Sequence, residues 1–290
     1  MSGLQVFIQQ LLNGLVIGSG YILIATGLTM VFGILEIINM AQGEIFMLGA
    51  FFTYALINAF GMSYFTAIPI AVVLGLLLGM VLYKTTIKRL IGKDHLTTLL
   101  VTFAVSTLLM NLAQLIWGST PRNIPSPLQT AVEVGGIYLT WQKIVMVFAV
   151  VVIIAVMALV INKTMAGKMI RACSENKFAA GIVGINVNKV YLGTFILGCS
   201  LGALAGPLLG PITYVFPSMG QAIGIKAFVI VIVGGLGNIP GAIAGGVVLG
   251  IAESLGAGYI SAEWKDLIGY LVLIIVLMIK PKGLLSKEEM

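Results

Sequence analysis

The sequence from Asn162 to Val190 reads NKTMAGKMIRACSENKFAAGIVGINVNKV. This polar segment separates two nearly uncharged apolar runs, Lys143–Ile161 and Tyr191–Gly210, and each run is long enough to cross a lipid bilayer. Its charged residues are five bases and one acid: Lys163, Lys168, Arg171, Lys177, Lys189 and Glu175. A basic segment between two spans is typical of a cytoplasmic loop. We therefore predict that residues 162–190 lie on the cytoplasmic side of a membrane.

The same segment carries a second pattern. After Met169, apolar residues recur at spacings that predict one or two short amphipathic helices: Ile170, Ala172, Cys173, Phe178, Ala179, Ile182 and Val183. Such helices favour a docking surface for a soluble partner. An ordinary solvated loop lying against lipid headgroups explains the pattern equally well, so both interpretations stay open at this point.

The composition extends the membrane interpretation to the whole chain. Of the 290 residues, 59% are hydrophobic and 9% are charged, and the mean hydropathy is +1.11. Soluble domains carry about 25% charged residues, which excludes that class. Lipid allows only helices or closed barrels to span it, and the apolar runs here are continuous rather than alternating. We predict an all-α polytopic membrane protein with about 8–9 transmembrane or re-entrant helices.

The net charge of +6 follows the expected membrane orientation, which argues against a nucleic-acid partner. With the N-terminus outside and the C-terminus inside, the bases of residues 162–190 fall inside. Seven further bases also fall inside: Lys84, Lys88, Arg89, Lys93, Lys280, Lys282 and Lys287. The bases predicted to lie outside are Arg122, Lys143, Lys226 and Lys265. Residues 118–141, with three prolines, form the long external loop in this scheme. Within it, Val134–Trp141 shows a weak alternation of apolar and polar residues, which predicts a short strand pair.

Two polar or glycine-rich breaks interrupt the apolar runs. The first, Glu36–Glu44, contains two carboxylates and two amides, and the second, Gly234–Gly241, reads GGLGNIPG. Paired interruptions in two halves of a membrane protein indicate a transporter's solute path. The predicted path residues are Asn39, Gln42, Gly43, Glu44, Asn238, Pro240 and Gly241. The helices around the second break are predicted to be two thin spans or a re-entrant pair.

Glycines recur every four residues after Tyr191, at Gly198, Gly202, Gly206 and Gly210. This spacing places them on one helix face, where two backbones can approach closely. We favour helix packing over a direct role in solute contact.

The chain has no phosphate-binding loop, no zinc-protease motif and no cysteine–histidine cluster at metal spacing, which predicts no catalytic residue, no metal and no cofactor. Three functions remain: a channel, an ion-coupled carrier using Glu36, Glu44 or Glu253, or the membrane subunit of a machine powered from elsewhere. We expect no base within an apolar run to bind a solute carboxylate, and a docking surface on residues 162–190 favours the third function.

Several motifs occur together in a characteristic order: NGLVIGSGYILIA from Asn13, INMAQGE from Ile38, MIRACSEN from Met169, GIN from Gly184, KAF from Lys226, GGLGNIPGA from Gly234 and GIAE from Gly250. In these motifs the chain resembles the LivH-type permeases of bacterial branched-chain amino-acid ABC importers over nearly its whole length. The resemblance implies one permease domain covering residues 1–290, with 162–190 as its coupling loop. It also implies a multi-pass location in the bacterial inner membrane.

The family's coupling pattern, E-A-A-x-x-x-G, is matched by Ala179, Ala180 and Gly184, whereas Phe178 stands in place of the glutamate. The resemblance implies that the coupling residues are Arg171, Glu175, Ala179, Ala180, Gly184 and Asn186. It implies a second homologous permease subunit, two cytoplasmic ABC ATPase subunits that hydrolyse the ATP, and an external solute-binding protein, periplasmic or lipid-anchored. The expected solutes are leucine, isoleucine and valine, with urea, short amides and other amino acids as alternatives.

Overall fold

The computed structural model describes residues 3–128, 130–281 and 283–285. Lys282 and Lys287, which the charge pattern assigns to the cytoplasmic tail, lie outside these residues. The helices are α1 Gly3–Leu35, α2 Gln42–Phe60, α3 Tyr64–Leu82, α4 Lys88–Leu90, α5 His95–Trp117, α6 Trp141–Lys163, α7 Met165–Glu175, α8 Lys177–Ile182, α9 Val187–Leu209, α10 Met219–Gly234, α11 Ile239–Tyr259 and α12 Lys265–Ile279. A π-helical turn, Tyr83–Ile87, joins α3 to α4, and a 3₁₀ turn, Ala262–Trp264, precedes α12.

Seven helical segments are long and apolar enough to cross a membrane: Gly3–Leu35, Gln42–Phe60, Tyr64–Leu90, His95–Trp117, Trp141–Lys163, Val187–Leu209 and Ile239–Tyr259. Two shorter apolar helices accompany them in the described part of the chain, α10 with 16 residues and α12 with 15. The prediction of an all-α polytopic membrane protein is confirmed. Around the second break, α11 is long enough to cross a membrane and α10 is shorter.

The long helix α1 forms the centre of the protein and packs against α9 and α11. It runs antiparallel to α11, because Gly14 lies beside Ile251 whereas Gly33 lies beside Gly237. Glycine allows these helices to approach closely, since a Cβ atom on Gly18 would lie 2.7 Å from the carbonyl oxygen of Gly246. By contrast, few residues of α3, α5 and α6 are buried inside the protein, as expected for helices that face lipid or another subunit.

The helix α2 begins inside the protein rather than at its edge. After α1 ends, the chain turns back at Glu36, which has a φ of 58°, and Gln42 then starts α2 beside Gly198, halfway along α9. The short helix α10 begins next to this point, because Gly43 packs against Gly220 and Gly224. The N-terminal ends of two interrupted helices therefore meet in the interior.

A β-hairpin lies in the predicted external loop. Its strands are β1, Ala131–Val134, and β2, Ile137–Thr140, so the strand pair begins at Ala131 rather than at Val134. The turn residues Gly135 and Gly136 both have positive φ values, as a two-residue hairpin turn requires. Side-chain hydrogen bonds from α1 hold the hairpin, including one from Gln9 Nε2 to the Tyr138 carbonyl oxygen at 3.0 Å.

Candidate solute path and coupling surface

The side-chain amides of the first break, Asn39 and Gln42, make hydrogen bonds with other groups of the protein. Asn39 Oδ1 accepts a hydrogen bond from the Ala41 N–H at 3.2 Å, and its Nδ2 donates to Gln42 Oε1 at 3.4 Å. Gln42 Nε2 donates to the Gly198 carbonyl oxygen at 2.8 Å. Both side chains are buried. In this conformation the two amides hold the break against α9 and offer little free hydrogen-bonding capacity to a solute.

Glu44 has a different environment from the two amides. Its side chain is 0% exposed, and Oε1 accepts a hydrogen bond from Ser106 Oγ of α5 at 3.1 Å. Its other oxygen, Oε2, has no hydrogen-bond partner among the described residues. A carboxylate inside a membrane is costly, so such a residue marks a candidate functional position.

The helix α5 fastens the first break through hydroxyl groups. Thr102 Oγ1 donates to the Ile38 carbonyl oxygen at 2.9 Å and accepts from the Met40 N–H at 3.2 Å. The sequence analysis did not single out Thr102 or Ser106. Their spacing of four residues, continued by Thr98, is the signal that identifies one polar, inward-facing side of this helix.

The second break does not join the first one. Asn238 caps α11, since its Oδ1 accepts from the Gly241 N–H at 3.1 Å, and its Nδ2 donates to the Leu285 carbonyl oxygen at 2.6 Å. Pro240 lies in the first turn of α11, and Gly241 packs against Gly234. The break sits beside Gly33, near the C-terminal end of α1, whereas the first break sits at the middle of α9.

The segment from residue 162 to 190 contains the two short helices expected from its pattern, α7 and α8. Asn176 ends α7 and caps α8, because its Oδ1 accepts from the N–H groups of Phe178 and Ala179, each at 3.0 Å. On this segment Phe178 is 78% exposed and Ile182 is 72% exposed. These two apolar side chains form, with Val183, an exposed apolar patch that the sequence analysis did not list among the coupling residues.

The expected coupling residues are divided between surface and interior. Ala179, Arg171, Glu175 and Gly184 are exposed, and Gly184 has a φ of +87°, a conformation that favours glycine. Ala180 is buried in the protein's own core. Arg171 Nη1 donates to Asn162 Oδ1 at 3.1 Å, and Asn186 caps α9 by accepting from the Lys189 N–H. Ala180 thus packs inside the protein, whereas Asn186 is exposed and caps α9.

Lys226, which the charge pattern predicts on the outer side, lies buried within α10. Its Nζ is 3.0 Å from Glu253 Oε1 of α11, 2.7 Å from Asp266 Oδ1 of α12 and 3.2 Å from the Tyr21 hydroxyl of α1. Tyr21 also donates to Glu253 Oε2 at 2.9 Å, and Lys265 Nζ lies 3.6 Å from the same oxygen. The expectation that no base lies within an apolar run is therefore wrong.

The four glycines that recur at this spacing, three in α9 and Gly210 directly after it, lie against different neighbours. Gly198 packs against Gly27 of α1, Gly202 against Gln42, Gly206 against the backbone of Phe46–Ala50, and Gly210 against Ile124. Because Gly206 meets backbone atoms rather than flexible side chains, a larger residue there has no room. These contacts hold α2 at the depth that places Glu44 in the interior.

Comparison with known proteins places the chain in a family. Residues 10–277 match the family described as branched-chain amino acid transport system, permease component. The chain is 32% identical to the high-affinity branched-chain amino acid transport system permease protein BraD of Pseudomonas aeruginosa, with 98% of this chain and 97% of that protein covered. It is 35% identical to the corresponding protein LivH of Escherichia coli K12, with 98% and 96% covered.

A more distant relative is the branched-chain amino acid transport system permease protein LivM of Escherichia coli K12, 26% identical over 91% of this chain and 67% of that protein. No solved structure matches the chain significantly. The family match covers nearly all of the helices, including both breaks and the segment from residue 162 to 190. This chain therefore belongs to the permease components of branched-chain amino acid transport systems.

Proposed function

We propose that the chain is the membrane-spanning permease subunit of an ATP-driven importer that carries branched-chain amino acids across the bacterial inner membrane. The observation that carries the proposal is the pair α7–α8. It presents an exposed apolar patch, Phe178, Ile182 and Val183, within a basic segment between two spans. An apolar patch on a solvated loop is the expected form of a protein docking site. The names of the full-length relatives supply the solute class.

The orientation that follows places α7–α8 inside the cell, where ATPase subunits are. The N-terminus of α1 then lies outside, and so does the hairpin β1–β2 that is bonded to it. Two ATPase subunits would contact one permease subunit each through this patch and hydrolyse the ATP. An external binding protein, periplasmic or lipid-anchored, would deliver the solute on the opposite side.

A second permease subunit is supported by the exposed side of α5. Thr107, Asn111 and Gln114 follow one another at helical spacing on the outward side of α5, opposite its inward-facing hydroxyl groups, and all three are exposed. Asn111 Nδ2 donates to the Thr107 carbonyl oxygen, but the described residues offer no hydrogen bond to the Gln114 amide. Polar groups facing lipid are costly, so we place a partner permease, with the solute path between the subunits, against α5. The similarity to LivM supports a partner of related sequence.

The alternatives receive less support. An ion-coupled carrier needs a titrating group in the membrane, and Glu253, one of its three candidates, is engaged by Lys226. Glu36 is exposed at the end of α1. A channel does not require a docking surface for a soluble partner, so it leaves the exposed apolar patch of α7–α8 unexplained.

The docking patch makes one sharp prediction. We expect Phe178→Asp to weaken binding of the ATPase subunits by about 30-fold or more, because truncating or charging a central apolar contact costs about 2 kcal/mol or more. The change should leave the permease folded, since the side chain contacts solvent in the isolated chain. Co-purification of ATPase subunits with the permease measures the effect.

Met165→Asp serves as the matched control, because Met165 is similarly exposed but lies at the start of α7. That variant should retain the ATPase subunits. Wild-type co-purification and ATP-driven uptake in Phe178→Asp would show that α7–α8 is a solvated loop and not a docking site.

The solute assignment is tested by uptake into cells that express the complete importer with its own binding protein. Labelled leucine should accumulate, and excess unlabelled isoleucine or valine should compete with it, whereas excess urea should not. Urea uptake that excess leucine does not reduce would refute the branched-chain assignment and leave the permease assignment in place.

A further inference from the structure

Glu44 is a buried carboxylate with half of its hydrogen-bonding capacity unused. Ser106 Oγ donates to Oε1 at 3.1 Å, while Oε2 meets no donor among the residues that the structure describes. The side chain has no solvent access. An unpaired buried charge carries a large desolvation cost. The absence of a hydrogen-bond donor for Glu44 Oε2 among the described residues therefore requires a functional explanation.

Two uncapped helix ends adjoin this carboxylate. Ala41 precedes α2 and Ser218 precedes α10, and neither gives a side-chain hydrogen bond to its helix. Such N-termini keep free N–H groups and a partial positive charge. Gly220, in the first turn of α10, lies directly against the Glu44 carboxylate, and Gly43 packs on Gly220 and Gly224. A negative group and a positively polarised backbone therefore face each other where α2, α5 and α10 meet.

This arrangement is the electrostatic complement of a zwitterion. In the packed arrangement of the structure, the carboxylate and the end of α10 partly neutralise each other. If the three helices separate during transport, an amino acid can take the place of that contact, with its ammonium group on Glu44 and its carboxylate on the N–H groups of α10. The glycines leave the backbone open to such an approach, since they have no side chains.

The other charges nearby do not compete for this role. The helices α2, α5 and α10 are fully described, and Lys226 is the only lysine or arginine that they contain. Its ammonium group is already bound by Glu253 and Asp266. The amides of Asn39 and Gln42 are occupied as well. Glu44 is thus the buried charged group at the first break with an oxygen still free to bind a solute, whereas Glu36 of the same break is exposed.

We propose that the free oxygen of Glu44 binds the α-ammonium group of the transported amino acid, while the N-terminus of α10 binds its α-carboxylate. The inference rests on the proposed function and specifies the solute-binding groups of that same path. It makes Glu44 a selectivity residue for amino acids over uncharged solutes such as urea or short amides.

The first test compares Glu44→Gln with wild type in the complete importer, reconstituted in lipid vesicles with its binding protein and ATPase subunits. Leucine transport should fall by about tenfold or more in the variant, because the ammonium group of leucine would then meet a neutral amide instead of a charged carboxylate. Glu36→Gln is the matched control, since Glu36 is an exposed acid of the same break, and it should transport leucine normally. Transport by Glu44→Gln within twofold of wild type would overturn the inference.

The second test keeps Glu44 intact, so its result does not depend on whether the Glu44→Gln variant folds normally. Thr107→Cys, on the exposed side of α5, is made in a protein that also carries Cys173→Ser and Cys199→Ala, and its reaction with a small polar thiol reagent is followed in the permease–ATPase complex. Leucine should slow the reaction. Two analogues, 4-methylpentanoate without the ammonium group and 3-methylbutylamine without the carboxylate, should protect only at concentrations about tenfold higher or more.

Equal protection by 4-methylpentanoate and leucine, or no protection by leucine, would overturn the inference. A wild-type importer that does not transport leucine would instead remove the proposed function. Normal wild-type transport together with an unimpaired Glu44→Gln variant would remove the Glu44 inference alone.

Discussion

Replacement of Lys226 by methionine is expected to destabilise the protein by about 3–5 kcal/mol, because it leaves a buried acid without its main partner. Glu253 is fully buried, and Lys226 Nζ lies 3.0 Å from its carboxylate. Lys265 remains 3.6 Å from Glu253 but is more exposed, so it compensates only in part. Thermal unfolding of the purified permease, followed by loss of the monodisperse peak in size-exclusion chromatography, measures the change.

Two further variants separate this ion pair from general damage. Lys265→Met should cost no more than about 1 kcal/mol, because a longer and more exposed pair contributes little. The double variant Lys226→Met/Glu253→Leu should recover much of the lost stability, since no buried charge is left unpaired. A Lys226→Met protein as stable as the wild type would show that the pair does not hold α10 against α11.

The second large effect is expected at Gly206, where α9 crosses α2. Valine there would place its Cβ against the carbonyl oxygen of Phe46 and the backbone nitrogen of Ala50, and neither atom can move without moving α2. We expect a loss of about 3 kcal/mol or more, at the upper end for added volume in a packed core, and little folded protein in the membrane. The amount of monodisperse protein recovered from membranes is the measurement.

Gly193→Val is the matched control for this substitution. Gly193 lies on the same helix, and a Cβ atom there would meet nothing within 4 Å. That variant should be recovered at wild-type levels. Similar recovery of the Gly206 and Gly193 variants would mean that α2 and α9 are not held as closely as the structure places them.

Local patterns predicted the membrane class, the two short helices of residues 162–190 and the position of the first break. Each of these depends on residues that are close together in sequence: an apolar run, a basic insert or a cluster of amides and acids. The π-helical turn after α3 and the early start of α2 inside the protein have no comparable local signal, because they depend on contacts with α9 and α10.

The position of Lys226 shows why a base within an apolar helix was not expected from the sequence. A single lysine near a short apolar run resembles a residue at the membrane edge, and its partners Tyr21, Glu253 and Asp266 come from three other helices. Only the folded arrangement shows that these charges satisfy one another. The same reasoning applies to Ser106, whose hydrogen bond to Glu44 joins residues 62 positions apart.

The two breaks illustrate the limit of sequence similarity within one chain. Both combine an asparagine with small residues. Asn39, however, makes its hydrogen bonds within an interior turn, whereas Asn238 caps α11 and donates to the Leu285 carbonyl oxygen. The hydrogen-bonding chemistry of asparagine suits both positions. We therefore propose that the solute path follows the first break, with Glu44 as its central residue.

The energy source of leucine uptake tests the account most directly. The complete importer is reconstituted in vesicles with ATP on the side of its ATPase subunits and binding protein plus labelled leucine on the other side. Leucine should be transported only when ATP is hydrolysed, and collapse of proton and sodium gradients should leave the initial rate unchanged. Transport that continues without ATP and stops when those gradients collapse would contradict the account and identify an ion-coupled carrier.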